Sequence, residues 1–188
     1  MKTTLNKIKE YDPCSYGWEK LLKSLNKTEA DNEPLDFLHI LNSNGLGDCV
    51  WAMRSAPEYD REWRLFSIWC ARQVQHLMTD ERSVNALNVS ERFANGEASS
   101  EELAAAMAAA WAAAGAAGAA AGDAAWAAAW AAAGAAAMDA AGAARAAAWA
   151  AARAAAWAAA GAAAMDAAGD AAWAAQKNYL ITLFTTNT

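Results

Sequence analysis

From Leu103 to Lys177 the chain is nearly all alanine, and the residues that interrupt it fall four apart: Leu103, Met107, Trp111, Gly115; then Gly118, Gly122, Trp126, Trp130, Gly134, Met138, Gly142; then Arg145, Trp149, Arg153, Trp157, Gly161, Met165, Gly169, Trp173, Lys177. An α-helix turns about 100° per residue, so a step of four overshoots a turn by about 40° and the marks wind around the helix. One flat partner cannot cover so wide a track. Either the tract is broken into several helices that pack on one another, or one helix is surrounded on most sides. Gly122-Asp123 and Gly169-Asp170 each place a C-terminal glycine before a capping aspartate and favour the breaks, with Gly142 as a third.

The sixteen residues Ala127 to Gly142 recur as Ala154 to Gly169, displaced by 27, which suggests two equivalent helices. Faces made of methyl groups let helix axes approach toward the close end of the usual range of about 8 to 10 Å. Alanine also has the best helix propensity. Each methyl buries little area, so Trp111, Trp126, Trp130, Trp149, Trp157 and Trp173 are expected to plug the gaps and supply most of the apolar stabilisation.

The first hundred residues read as short helices with clear stops. Trp18, Leu21, Leu22 and Leu25 share helical spacing before the polar run Asn26 to Glu33. Pro34 suits a first turn, Leu35, Leu38 and Leu41 follow, and Asn44-Gly45 closes that helix. Asp48 is placed to cap a short helix through Cys49, Val50, Trp51 and Met53, ending before Pro57. A longer helix is predicted from Glu58 to Met78, and another from Thr79 or Asp80 to Asn95-Gly96. Ser99 with Glu102 forms a capping box that opens the alanine tract. Tyr179 to Phe184 reads as a helix end followed by a tail covering the bundle.

The fold class is therefore all-α: a multi-helix bundle with short N-terminal helices packed against long alanine-rich C-terminal ones. Residues 1–98 form the region of ordinary composition and 99–188 the tetrad-repeat helices, expected as one compact assembly. The regular tetrads also allow helices to slide by a turn with similar burial, which leaves homo-oligomers open.

Charge then narrows the partners. A net charge of -6 without clustered Lys and Arg argues against nucleic acid. Leu103 to Gly122 is uncharged and long enough to span a bilayer, but alanine and glycine add little insertion energy, and the later Asp and Arg positions are costly in lipid. No membrane is expected. Three cysteines, Cys14, Cys49 and Cys70, without a signal peptide, fit free thiols in the cytoplasm.

Two stretches resemble known proteins. Trp63 through Cys70-Ala71-Arg72-Gln73-Val74, then Asp80 to Asn95-Gly96-Glu97 and Ser100-Glu101-Glu102-Leu103, followed by Ala/Trp/Arg tetrads, resembles a family of alanine-rich helical immunity proteins. The same ending, with Pro13-Cys14 to Gly17-Trp18 and Asn44-Gly45-Leu46-Gly47-Asp48 to Trp51 to Arg54 upstream, resembles uncharacterised phage and prophage proteins. The similarity covers most of the chain, half of it low in complexity. It implies a non-enzymatic, all-helical binding protein and transfers no catalytic residue.

Candidate chemistry is sparse. Arg72, Gln75 and His76, with Trp69 and Gln73 on a neighbouring face, make either an anion or nucleotide pocket or an ordinary surface where Arg72 pairs with a carboxylate; the sequence favours the second. Asn44, Gly45, Gly47 and Asp48 form a turn able to present backbone N–H groups to an anion, with Cys49 a nucleophile were His39 or His76 in reach. Cys14, Cys49, Cys70, His39 and His76 have no metal-ligand spacing, so no metal and no cofactor is implied. Arg145 and Arg153 flank Trp149 and precede Trp157, which makes either a cation and aromatic surface for a flat anion or a partner's acidic strip, or the wet side of a helix.

The function expected is a cytoplasmic, non-enzymatic binding protein of phage or mobile-element type that neutralises a partner. It would occlude another protein or sequester a small anionic, nucleotide-like ligand. A structural, ice-binding bundle is the remaining alternative, against which stands the lack of regular threonines on the ladder.

Overall fold

A computed structural model describes residues 1–120, 122–135, 140–158 and 162–186. The chain is all-α, 81% helical, with ten α-helices and one two-stranded sheet among the described residues. The helices are α1 Leu5–Lys9, α2 Ser15–Ser24, α3 Phe37–Asn44, α4 Leu46–Ala52, α5 Asp60–Gln73, α6 Glu81–Ala94, α7 Ser100–Ala120, α8 Gly122–Ala135, α9 Ala140–Ala158 and α10 Ala162–Thr186. Contacts divide the chain into two compact units, Met1–Tyr59 with Lys177–Thr188, and Asp60–Gln176. This division follows packing and does not fall at the change of composition near residue 98.

In the first unit, strands β1 (Lys2–Thr3) and β2 (Leu35–Asp36) pair antiparallel, with Thr3 opposite Leu35. Leu35 was expected inside a helix. Its backbone is instead held extended by Thr3, and α3 begins at Phe37, after Asp36 at ψ 135°. The other end matches the pattern, since Gly45 closes α3 at φ 95°, a conformation that favours glycine. Asp48 is not the cap of α4: Gly45 holds that position and Asp48 lies in the first turn. Leu5, Ile8, Phe37, Ile40, Leu41, Met53, Leu180 and Phe184 are buried here, and the Phe37 and Phe184 rings lie 5.8 Å apart. The expected C-terminal tail is the last part of α10. Leu180 and Phe184, four residues apart, give it one buried face, and the helix persists to Thr186.

In the second unit the helix expected from Glu58 to Met78 is shorter. It runs Asp60–Gln73 and gives way at Val74 (φ -114°, ψ 14°) to a single 3₁₀ turn, Gln75–Leu77. Asp80 caps α6 through the Arg82 N–H, and Gly96 at φ 77° follows its end. The capping box is formed: the Glu102 N–H donates to Ser99 Oγ at 3.2 Å and the Ser99 N–H to Glu102 Oε2 at 2.9 Å.

The alanine tract answers both halves of the opening alternative. It is broken into helices, and one of them, α8, packs against α5, α6, α7 and α9. Ala127, Ala128, Ala129, Ala131, Ala132, Ala133 and Ala135 are all buried, a helix apolar on every side. Its glycine admits a neighbour: a Cβ at Gly134 would lie 2.9 Å from the Ala146 Cβ of α9.

Three expectations in the tract are corrected. Gly142 and Gly169-Asp170 lie inside α9 and α10, because an alanine helix tolerates one glycine at a cost of about 1 kcal/mol. The duplicated segment is not a pair of equivalent helices. Ala135, ninth in the first copy, shares α8 with the start of its copy, whereas Ala162, ninth in the second, lies in α10 while Ala154–Ala158 of that copy lie in α9. Nor do the tryptophans plug the core: Trp111, Trp130 and Trp149 are exposed, and Trp157 and Trp173 half-buried. Methyl-walled helices at close range leave no volume for an indole between them, so the rings are pushed outward. Trp63, Phe66, Leu87 and Leu103, with the alanines, form the buried apolar interior. Trp126's side chain lies outside the described residues.

Lysine is confined to the first unit, which also holds Arg54. Lys2, Lys7, Lys9, Lys20, Lys23, Lys27 and Lys177 all belong to it, and the second unit carries arginines and His76 but no lysine.

Candidate functional site

Helix α9 carries the clearest exposed functional pattern. Its buried side is Ala143, Ala144, Ala147, Ala148, Ala151, Ala152 and Ala154, which leaves Arg145, Trp149, Arg153 and Trp157 on the outer side. Arg145 is exposed, Trp149 is 59% exposed, and Arg153 and Trp157 are partly covered. The Arg153 guanidinium lies 5.4 Å from the Trp149 ring centroid and 4.2 Å from that of Trp157, so one cation bridges two aromatic faces. Spacing of four makes this possible, since residues i and i+4 are neighbours on a helix surface.

The cluster on α5 is engaged internally. Arg72 Nη2 donates to Glu91 Oε2 at 2.5 Å and to Asn88 Oδ1 at 3.3 Å, while Nη1 donates to Gln75 Oε1 at 3.0 Å. Gln73 Nε2 donates to the Trp69 carbonyl at 3.3 Å. His76 stands exposed on the 3₁₀ turn, and the end of α5 at Gln73 removes the common helical face expected for Trp69, Gln73 and His76.

The Asn44 to Asp48 turn is likewise closed on itself. Asn44 Nδ2 donates to Asp48 Oδ2 and to the Gly17 carbonyl, each at 2.8 Å. Gly17 lets this carboxylate approach, because a Cβ there would meet Asp48 Oδ2 at 2.8 Å and displace it. Gly45 and Gly47 have open space around them, but Asp48 places a carboxylate in the first turn of α4, where an incoming anion meets like charge.

Cys49 is fully buried and its thiol lies 3.7 Å from the Phe37 carbonyl. Desolvation, with the nearby Asp48 charge, pushes its pKa well up, the reverse of an activated thiolate. Burial does the same to Cys70. His39 Nε2 lies 2.9 Å from Ser24 Oγ, whose proton is directed to the Leu21 carbonyl at 2.7 Å. Among the described residues no three His, Cys, Asp or Glu side chains gather as a cation site, and no helix is long and apolar enough to cross a membrane.

Two features were not foreseen. Trp111 of α7 and Trp130 of α8 meet edge to face at 4.4 Å, each 40% exposed. Both stand on the tetrad ladder, but a repeating ladder carries no sign of which rungs meet across helices. A cleft of about 590 Å³ in the first unit is lined by Met1, Asp36, Leu38, His39, Asn42, Phe184 and Thr185. Its walls come from distant parts of the chain, so no local motif marks it.

Compared with protein-family models, curated proteins and solved structures, the chain finds no match.

Proposed function

We propose that this chain is a non-enzymatic binding protein that neutralises a partner protein, docking it on the outer stripe of α9. One observation carries the reading: Trp149 projects a large ring that is 59% exposed, beside an arginine already stacked between it and Trp157. Trp and Arg are enriched at the energetic centres of protein interfaces. Holding Arg153 against two rings before binding lowers the side-chain entropy lost on association. A mobile-element origin and an immunity or counter-defence role are supported by the resemblance of Trp63 to Leu103 and the tetrads. The free thiols Cys14, Cys49 and Cys70 support a reducing compartment, the cytoplasm.

The test compares capture from host lysate by tagged wild type and Trp149→Ala. Trp149 is mostly solvent-exposed, so the variant is expected to fold and melt as wild type does. It loses the protein that wild type retains. Equal capture by both, or capture by neither, overturns the reading.

A small flat anion is the second reading, supported by the guanidinium of Arg153 lying between two indoles. Mass spectrometry of material released by heating the purified chain distinguishes it from a protein partner.

A further inference from the structure

We infer that Asn95 is a site of self-modification, where the backbone nitrogen of Gly96 displaces the side-chain nitrogen and leaves aspartate or its β-linked isomer between α6 and α7. This is independent of the docking reading.

Two asparagines of the chain, Asn44 and Asn95, precede glycine. Glycine has no Cβ to crowd its own nitrogen and rotates at little cost, so that nitrogen reaches the preceding side chain most easily at these two positions. In the reaction the glycine nitrogen bonds to the asparagine Cγ and gives up its proton to hydroxide. The side-chain nitrogen takes a proton from water and leaves as ammonia. Water then opens the five-membered imide at either carbonyl. The sum is amide plus water to carboxylic acid plus ammonia, with nothing oxidised or reduced.

The fold treats the two positions oppositely. Asn44 is half-buried and tied at both ends of its amide: Nδ2 donates to the Gly17 carbonyl and to Asp48 Oδ2, each at 2.8 Å, and Oδ1 accepts from Ser43 Oγ at 3.0 Å. A carboxylate formed there would face the like charge of Asp48. Asn95 ends α6 in solvent, and Gly96 and Glu97 after it are exposed. Arg61 Nη2 donates to Asn95 Oδ1 at 2.9 Å. That oxygen stays in the imide, whereas the departing Nδ2 has no partner among the described residues. The new carboxylate then meets the Arg61 guanidinium, an opposite charge. Reaction also requires Asn95 to leave ψ 1° and the Gly96 N–H to leave the Phe93 carbonyl, 3.0 Å away. Both belong to the last turn of a helix, the part that opens at least cost. A Cβ at Gly96 would have nothing within 4 Å, so this turn has room to rearrange. Conversion adds one negative charge to a chain already at -6.

The test incubates the full chain for days in mildly alkaline buffer at body temperature and follows each site by peptide mass spectrometry, with released ammonia measured in parallel. Asn95 is expected to convert at least about tenfold faster than Asn44, because the second needs a larger local opening. In guanidinium, where both are free, the two rates converge. Asp48→Ala removes one tie and speeds conversion at Asn44 while leaving Asn95 unchanged, and Asn95→Gln abolishes most of the ammonia released by the folded chain. In thermal melts Asn95→Asp holds the wild-type midpoint or exceeds it, whereas Asn44→Asp falls below it. Equal rates in the folded chain, faster conversion at Asn44, a ratio that persists in guanidinium, or no conversion at Asn95 overturns the inference.

Discussion

Gly134 of α8 and Ala146 of α9 touch so closely that a methyl on the first would lie 2.9 Å from the Cβ of the second and 3.3 Å from the carbonyl carbon of Ala146 and the Ala147 nitrogen. Backbone cannot yield as a flexible side chain does. Gly134→Ala gains about 1 kcal/mol of helix propensity and still loses stability, by about 1 to 3 kcal/mol net, because the helices must separate. Gly115→Ala on α7 supplies the control, with nothing within 4 Å of the added carbon. It is expected to stabilise by about 1 kcal/mol, a rise of about 2 to 4 °C in the melting temperature. Opposite signs in thermal melts confirm the close approach.

Asp80 makes stability depend on acid. The Arg82 side chain, aided by the Arg82 N–H, holds its carboxyl down to about 2, against about 3.9 for an unfolded aspartate. A lowered folded value contributes stability above pH about 4, and that contribution fades as pH falls through about 2. Urea midpoints of wild type should drop across this window. Asp80→Asn keeps a good cap and removes this titration, so its midpoints fall less steeply.

Thiol chemistry separates the three cysteines. Cys14 is exposed, whereas Cys49 and Cys70 are buried with raised pKa values. Iodoacetamide at neutral pH is expected to modify Cys14 alone in the folded chain and all three in guanidinium, as read by peptide mass spectrometry. Preferential labelling of Cys49 in the folded chain would restore it as a nucleophile.

Gln176 is 2% exposed; its Nε2 donates to the Ala148 carbonyl at 3.0 Å, while Oε1 has no hydrogen-bond partner among the described residues. Gln176→Met keeps the volume and removes the buried acceptor, so it should be neutral or stabilising by up to about 1 kcal/mol. Gln176→Ala leaves a cavity and should cost about 1 to 3 kcal/mol. Denaturant midpoints of the pair distinguish packing from hydrogen bonding at this position.

Legibility along the chain followed local chemistry. Where a residue type has a specific backbone role, as at Gly45, Asp80, Gly96 and the Ser99/Glu102 box, the element boundary was readable, because the interaction spans only a few residues. Leu35 was misread because its conformation is fixed by Thr3, which no short window contains. The alanine tract resisted for a different reason. Ala135 and Ala162 occupy the same place in identical sixteen-residue segments, yet Ala135 shares α8 with the start of its copy, whereas Ala162 lies in α10 and the start of its copy in α9. Alanine favours helix everywhere, so packing alone decides where a helix stops. The Arg145, Trp149, Arg153 and Trp157 stripe was visible as a spacing, but its outward direction follows from the crowding of methyl-walled helices.

The confinement of lysine to the first unit offers a route to presenting α9 intact. Amine-directed tethers, such as succinimidyl biotin, attach only to the lysine-bearing unit and the chain's amino terminus, and leave guanidinium and indole groups untouched. Beads derivatised in this way carry an unmodified Arg/Trp stripe, and an endoprotease specific for lysine trims the first unit without cutting within Asp60–Gln176.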